Sequence, residues 1–477
     1  MVLHPTYYNR LHSVVFLFIL AGVPFVILNI QHAHHYLPKT EIDFHFSLPN
    51  VWTNQQEKAT IAYAITVTDC QVGTTLFDGA AVLMHSIQLV SQSSKYGYQF
   101  YAFLHPDGQA CAPLLSHLGY EVQIRPSPVN LTDIRNRQLQ KATKNSCCGI
   151  KEMMKLYSYM LPGHPVVVHL DLDTIVLKPL DDLFDLMLQN ESFNRSRIPA
   201  MWKEPDEFPS QVDFLFTRDY NMVDPPRRQP YQIGVQGGFL IIRPNETDFR
   251  RLIEIILDGG NYDIHEGWGG TELGFGGYYG AATVQGLLSY YFGHIDKHRS
   301  VELNRCYYNN MVDDPMDTEV AIVQNKTKRC RTLQEACQDC RKMKVEDIYT
   351  AHFTICGKPW WCDLSPRTVE KEVFGLCPKL HREWHRVRLS LEDQWKEQYD
   401  DYQPIYAHTG PNGLSAETRH YQNYSHGHCR AMQPMGYIRL QLPSSFAAQG
   451  ETITWQVEPY STKFSLSNVS QKITSVL

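Results

Sequence analysis

The stretch PVVVHLDLDTIVLKPLDDLF, residues 165–184, decides the fold. Its first six residues are an unbroken apolar run apart from His169. Such a run, without polar alternation, reads as a central strand buried on both faces. Asp171 and Asp173 then close the strand. Carboxylates are seldom buried unless they are paired or bound to metal. In an extended chain, residues two apart point to the same side, so the two acids are expected to converge where the strand leaves the sheet. In open α/β sheets that edge is where ligands bind. Two neighbouring carboxylates repel, and a divalent cation such as Mn²⁺, or Mg²⁺ as the alternative, removes that cost. A surface Asp-Leu-Asp turn is the competing explanation of the same residues.

The flanking sequence supports a parallel sheet. ATIAYAITVT (59–68), YQFYAFLH (98–105) and EVQIRP (121–126) read as strands, while LFDGAAVLMHSIQLVSQS (76–93) and APLLSHLGY (112–120) read as helices. Strands alternating with helices imply βαβ units. A helix is expected over KEMMKLYSYML (151–161), ended by Pro162-Gly163. GVQGGFLIIRP (234–244) and the helix DFRRLIEIILDGG (248–260) continue the pattern. After Cys377 a polar helix, 379–402, leads into a loop-rich end. One α/β domain over 58–377 with a mostly parallel central sheet is expected, followed by a carboxy-terminal extension, 378–477.

The amino terminus points to a compartment. Residues 14–30, VVFLFILAGVPFVILNI, carry no charge. Roughly 17–25 apolar residues span a bilayer as a helix. Arg10 precedes the run and no charged residue follows until Lys39. A type II signal anchor is expected at 14–30, with a cytoplasmic tail at 1–13 and a stem at 31–57; a cleaved signal peptide is the alternative. Seven N-x-[ST] sequons follow, at Asn130, Asn190, Asn194, Asn245, Asn325, Asn423 and Asn468. Six of the 12 Cys fall between Cys330 and Cys377. In an oxidising lumen these read as disulfides of unassigned pairing, with Cys337-x-x-Cys340 as half of a zinc site the other reading. The Golgi or endoplasmic reticulum membrane is the expected location. The formal net charge of −6 lacks the basic balance that a nucleic-acid partner wants.

A second constellation lies in AHFTICGKPWWC, residues 351–362. A neutral imidazole, His352, can join two carboxylates on a cation. Lys358 presents a point charge suited to phosphate. Taken alone, the string favours a core histidine with a solvated lysine.

Taken together, these strings resemble glycosyltransferase family 8, the group of glycogenin and bacterial lipopolysaccharide galactosyltransferases. The likeness runs in order over residues 60–365: AYAITVTD with DGAAVLMHSI, then MKLYSY, HLDLDTIVLKPLDDLF, GVQGGFLIIRP, VQGLLSYYF and HFTICGKPW. It implies a GT-A fold, a UDP-sugar donor, Mn²⁺ and retention of anomeric configuration. By position, Asp171, Asp173 and His352 would ligate the metal. Lys358 would hold the leaving diphosphate, Lys155 would face the donor, and Thr68 and Asp69 would lie near the uridine. Gln236 and Gly237 would touch substrate, and Gln285 would stand under the anomeric carbon. The chain departs from the family pattern at Val284, where the family has Asp, at Gln236-Gly237-Gly238 for its Asn-Ser-Gly, and at Ile355, with Gly357 beside the Lys. With no carboxylate offered as a nucleophile, same-face attack by the acceptor hydroxyl is expected. Cys356 and Cys362 bracket GKPWW, and disulfides from them are expected to preorganise His352 and Lys358. The expected activity is transfer of a hexose or related sugar to a glycan, protein or lipid acceptor. A catalytically inactive glycan- or nucleotide-binding protein on the same fold is the alternative.

Overall fold

In the computed structural model the described residues are 16–20, 23–27, 58–70, 75–146, 149–188, 198, 208–218, 222, 234–270, 280–312, 330, 337–360, 375–404 and 437–444. The chain divides into two units, Met1–Glu57 and Lys58–Leu477.

In the first unit, Phe16–Leu20 pairs antiparallel with Val23–Ile27, Phe18 lying opposite Phe25. A membrane helix was the expectation for this run. Its aromatic and β-branched residues suit a strand as well as an apolar helix, and Pro24 opposes a helix interior. Among the described residues, no helix is long and apolar enough to cross a membrane. The tail at 1–13 and the stem at 31–57 lie outside the described residues.

The second unit is built on a seven-stranded sheet. Across it the strands run Ser300–Glu302, Phe214–Arg218, Val235–Ile242, Val167–Leu170, Thr60–Val67, Gly97–Leu104 and Glu121–Ile124. Only Val235–Ile242 is antiparallel to its neighbours; every other pairing is parallel. The helices Leu76–Val90 and Ala112–Leu118 are the crossovers between the consecutive parallel strands at one edge, as βαβ geometry requires. One face of the sheet buries Leu83, Ile87, Leu115, Leu183 and Phe184. The opposite face buries Met153, Leu156, Phe249, Leu252 and Leu287.

Two elements differ from expectation. The helix expected at 151–161 is wound as a 3-10 helix, Gly149–Met160. With three residues per turn, side chains three apart eclipse. Glu152, Lys155 and Ser158 therefore line up on one side, Lys155 within 2.8 Å of Asp171 and Ser158 within 2.8 Å of His169. Tight winding thus aims three polar groups at the end of the Val167–Leu170 strand. The second difference is the carboxy-terminal helix, Leu376–Gln398. It packs into the second unit, where Leu380, Trp384, Val387, Leu391 and Trp395 join Phe77, Ala81 and Val82 of the first crossover helix in one core cluster. Polar residues along it mask this apolar face, because Arg388 and Glu392 are themselves buried and hydrogen-bonded to each other at 3.1 Å.

The disulfides among the described residues are Cys70–Cys111, Cys306–Cys340, Cys330–Cys337 and Cys356–Cys377. Cys337 and Cys340 are each bonded to a different partner, so the zinc reading of that pair is replaced by disulfides. Cys356 pairs with Cys377, and Cys362 lies outside the described residues.

Candidate active site

The site is assembled at the end of Val167–Leu170. The strand stops at Leu170 and Asp171–Asp173 form a turn, closed by Thr174 N donating to Asp171 O at 3.1 Å. The two carboxylates therefore converge across a turn, where a continuous strand was expected. Thr174–Val176 resumes as a short strand and pairs antiparallel with Thr350–His352, placing His352 opposite Thr174. Phe353 N donates to Asp173 O at 2.8 Å, which locks that register. This hairpin-like pairing carries His352 across 179 residues of sequence to the acidic turn. One ligand atom from each of Asp171, Asp173 and His352 lies within 4.8 Å of the others. His352 Nε2 is 3.3 Å from Asp173 Oδ1 and 3.9 Å from Asp171 Oδ2.

Close approach depends on a glycine. A Cβ on Gly238 would stand 2.4 Å from His352 Cε1 and 2.9 Å from Asp171 Oδ2. Gly79 does the same on the other flank, where a Cβ would meet Leu172 O at 2.8 Å. The first of these glycines belongs to the Gln236-Gly237-Gly238 run of the sequence, and the second to DGAAV.

Two lysines flank the acids. Lys155 is buried, with Asp171 Oδ1 at 2.8 Å, Glu152 Oε1 at 2.6 Å and Gly237 O at 3.1 Å. Burial alone would lower its ammonium, but Asp171 and Glu152 raise it well above the usual lysine value. It acts on Asp171 from beneath. Burial pushes the Asp171 carboxyl up, and Lys155 with His352 outweigh that push, leaving it below its ordinary value. Lys358 sits against Asp173 Oδ2. Burial lowers its ammonium below the usual range, with Asp171 opposing. His169, behind the site, is pushed by burial and then by Lys155 to about 3. It remains neutral between Thr66 Oγ1 at 3.2 Å and Ser158 Oγ at 2.8 Å.

A cleft of about 330 Å³ opens here, lined by Asp69, Thr75, Leu76, Leu172, Asp173, Lys358 and Trp360. Asp69 is thus at the cleft, exposed, and Thr68 beside it is half-buried with its carbonyl accepting from Lys151 Nζ at 3.1 Å. Gln285 is held against the neighbouring strand, its Oε1 accepting from Gly237 N at 2.7 Å. Gln236 does not line the cleft. Its buried side chain turns back, Oε1 accepting from Gly238 N at 2.6 Å and from Asn309 Nδ2 at 3.1 Å. Val284 lies in the core. In the His352–Lys358 loop the left-handed position is Gly357, φ 75°, while Ile355 is exposed.

Sequence reasoning missed Lys151, Gly79, Gly238 and Asn309. The strings that hold Lys151, Gly79 and Gly238 were visible, but nothing in a string tells which glycine lies against a histidine, and Asn309 lies in none of them. Another Cys/His group, Cys356, Cys377 and His381, comes together among the described residues. Its two sulfurs are bonded to each other, so it offers a cation only His381.

The donor set at the acidic turn, two carboxylates and an imidazole, is of the hard oxygen and nitrogen type that suits Mn²⁺ or Mg²⁺. The crowding fits such an ion: two carboxylates this close to one imidazole nitrogen are stabilised by a shared cation.

No protein-family model and no curated protein matches the chain. Among solved structures it is similar to the apo form of mouse xyloside xylosyltransferase 1, at 12% identity over 62% of this chain and 97% of that one, with a TM-score of 0.36. It is similar to the glycosyltransferase GlyE of Streptococcus pneumoniae at 14% identity, over 72% of this chain and 64% of that one, TM-score 0.36. It is also similar to the galactosyltransferase LgtC in complex with donor and acceptor sugar analogs, at 13% identity over 68% and 95%, TM-score 0.34.

Proposed function

We propose that the chain is a retaining, metal-dependent glycosyltransferase that moves a hexose or related sugar from a UDP-sugar to a glycan, protein or lipid acceptor in the secretory pathway, at the Golgi or endoplasmic reticulum membrane. The observation that carries this reading is the meeting of Asp171, Asp173 and His352 within 4.8 Å at a strand end, beside a cleft that Lys358 lines.

Asp171, Asp173 and His352 would hold Mn²⁺, which supplies Lewis-acid neutralisation of charge growing on a leaving diphosphate. The chain's own residues do the rest. Lys358 exchanges its contact with Asp173 for the diphosphate, a charge-assisted bond that strengthens as the glycosidic bond breaks. Lys155 keeps Asp171 ionised and fixed in direction. Asp69 and Trp360 line the wall that would receive the uridine. Gln285 offers its amide near Gly237 as electrostatic support for the sugar. Because residue 284 is a buried Val, no carboxylate is supplied at that position to form a glycosyl-enzyme, and the acceptor hydroxyl attacks C1 from the face that the diphosphate leaves, its proton passing to the departing phosphate oxygen.

A second reading, a nucleotide- or glycan-binding protein without turnover, is favoured by the same burial of Val284. A screen of UDP-sugars for Mn²⁺-dependent hydrolysis by the purified chain separates the two. The enzyme reading predicts turnover with one donor or a few. Tight UDP binding with no turnover of any donor or transfer to any acceptor glycan would replace it with the binding reading.

A further inference from the structure

We propose that Asn309 is the positioning residue for His352: it fixes the imidazole with the Nδ1 proton turned inward, so that the Nε2 lone pair faces the two carboxylates and a divalent cation. The inference rests on the metal-dependent reading above and adds a residue to it.

The backbone amide of Gly238 is a donor, and it lies 2.6 Å from Gln236 Oε1. The atom of Gln236 that meets it is therefore the oxygen. Asn309 approaches the same oxygen at 3.1 Å, so it presents its Nδ2, which also donates to Thr217 Oγ1 at 2.9 Å. That assignment leaves Asn309 Oδ1 pointing at His352 Nδ1, 3.1 Å away. An amide oxygen only accepts. Nδ1 must then carry a proton, and Nε2 is the nitrogen left to face Asp171 and Asp173. One backbone N–H thus sets, through two side-chain amides, which nitrogen of His352 is offered. Partners of this kind fix the tautomer and direction of metal-binding histidines.

Burial makes the network binding. Asn309 and Thr217 are 0% exposed, Gln236 6% and His352 3%. At this depth an amide turned the wrong way would bury two unmatched polar groups.

The backbone holds Asn309 there at a conformation few residues accept. Its φ is 63°, in the left-handed region where Asn is enriched. Its N–H donates to Thr350 Oγ1 at 2.6 Å, Asn310 N to Thr350 O at 2.9 Å, and His352 N to Asn310 O at 2.9 Å. Asn309-Asn310 therefore runs alongside the strand that carries His352. The Cys306–Cys340 disulfide braces the segment, since Asn310 Nδ2 donates to Cys306 O at 2.8 Å and to Cys340 O at 3.3 Å. The cysteine cluster thus reaches the candidate metal ligand through one asparagine.

Two substitutions, compared with each other, separate the acceptor from the rest of the side chain, because both tolerate the backbone conformation. Asn309→Asp keeps an acceptor for Nδ1–H while giving up the donor to Gln236 Oε1, and Asn309→Gly has neither. With the full chain carrying ¹⁵N-histidine, the His352 Nδ1–H resonance is assigned by its loss in His352→Gln. It is expected in wild type with and without diamagnetic Cd²⁺, to persist in Asn309→Asp and to vanish in Asn309→Gly. Calorimetric Mn²⁺ affinity is expected to fall about 10–100-fold in Asn309→Gly and to be largely retained in Asn309→Asp. Wild type that binds cation without a Nδ1–H resonance overturns the Asn309 assignment alone, as does Asn309→Gly binding Mn²⁺ like wild type. Wild type that binds neither cation overturns the metal reading and with it the purpose given to Asn309. If Asn309→Gly fails to fold, the wild-type resonance and the Asn309→Asp affinity still decide.

Discussion

Replacing Gly238 with Ala adds one methyl group at the point where the strand meets His352 and Asp171. The new Cβ would stand 2.4 Å from His352 Cε1, 2.8 Å from Nδ1 and 2.9 Å from Asp171 Oδ2. Carbon atoms rest at about 3.5–4 Å, so the imidazole or the strand must shift by about 1 Å. The imidazole cannot slide freely, because Asn309 holds Nδ1 and the ring is buried. Overpacking of this kind costs about 1–3 kcal/mol of stability. Misplacing a functional group by about 1 Å costs on the order of 10²-fold in rate. Gly238→Ala is therefore expected to fold with lowered stability and to bind Mn²⁺ about 10–100-fold more weakly. Gly237→Ala is the control. There a Cβ meets Gln285 Cγ at 3.0 Å and Oε1 at 3.2 Å, the far end of a flexible side chain, and Mn²⁺ affinity should hold. Calorimetric titration of both variants decides the matter. Wild-type Mn²⁺ affinity in Gly238→Ala, or equal losses in the two variants, would show that the close approach at Gly238 does not position His352.

Three further outcomes are expected. Cys356→Ser opens the bridge to Cys377 across 21 residues of sequence; it should lower stability by about 3 kcal/mol and weaken UDP binding on the folded fraction, whereas unchanged affinity would make the bond structural only. Arg388→Met strips the partner from Asp78 and Glu392, both buried, and should cost about 3–5 kcal/mol at neutral pH. Burial already raises both carboxyls above their ordinary values, against the opposing pull of Arg388. The folded state therefore binds protons more tightly than the unfolded, stability rises as pH falls through the raised values, and the deficit of Arg388→Met should shrink from pH 7 to pH 5 in denaturant melts. In a lumenal protein, Asn130→Gln at its exposed sequon should lose one glycan without loss of stability, whereas Asn245→Gln also removes the cap that accepts from Thr247 N and Asp248 N and should cost about 1 kcal/mol; equal stability of the two would discount the cap.

The parts legible in the sequence were those written as periodicity and charge. The apolar run before Asp171 gave the central strand, and the alternation of 59–126 gave its parallel neighbours. Asp171, Asp173 and His352 were visible as ligand types, and the short strand pair Thr350–His352 with Thr174–Val176 is what joins them. Three-residue strands leave almost no periodic signal, so that pairing had to come from the structure. The 3-10 winding of Gly149–Met160 was hidden because its apolar residues satisfy a helical pattern of either pitch. The amphipathic face of Leu376–Gln398 was masked by Arg388 and Glu392, which neutralise each other in the core. Gln236 reads as a substrate contact in sequence, yet one backbone N–H from Gly238 turns its amide inward. At 14–30 apolarity alone does not choose between a helix and a strand pair.

The proposed function requires the acidic turn and His352 to bind a divalent cation together with a nucleotide diphosphate. Calorimetric titration of the full chain with UDP, with and without Mn²⁺, in wild type and Asp173→Asn, measures that requirement. Asp173→Asn keeps the shape of the side chain and removes one anionic ligand, so the fold should be retained. Wild type is expected to bind UDP far more tightly with Mn²⁺, and Asp173→Asn to lose this dependence. Equal UDP affinity with and without Mn²⁺ in wild type would remove the metal from the proposed function.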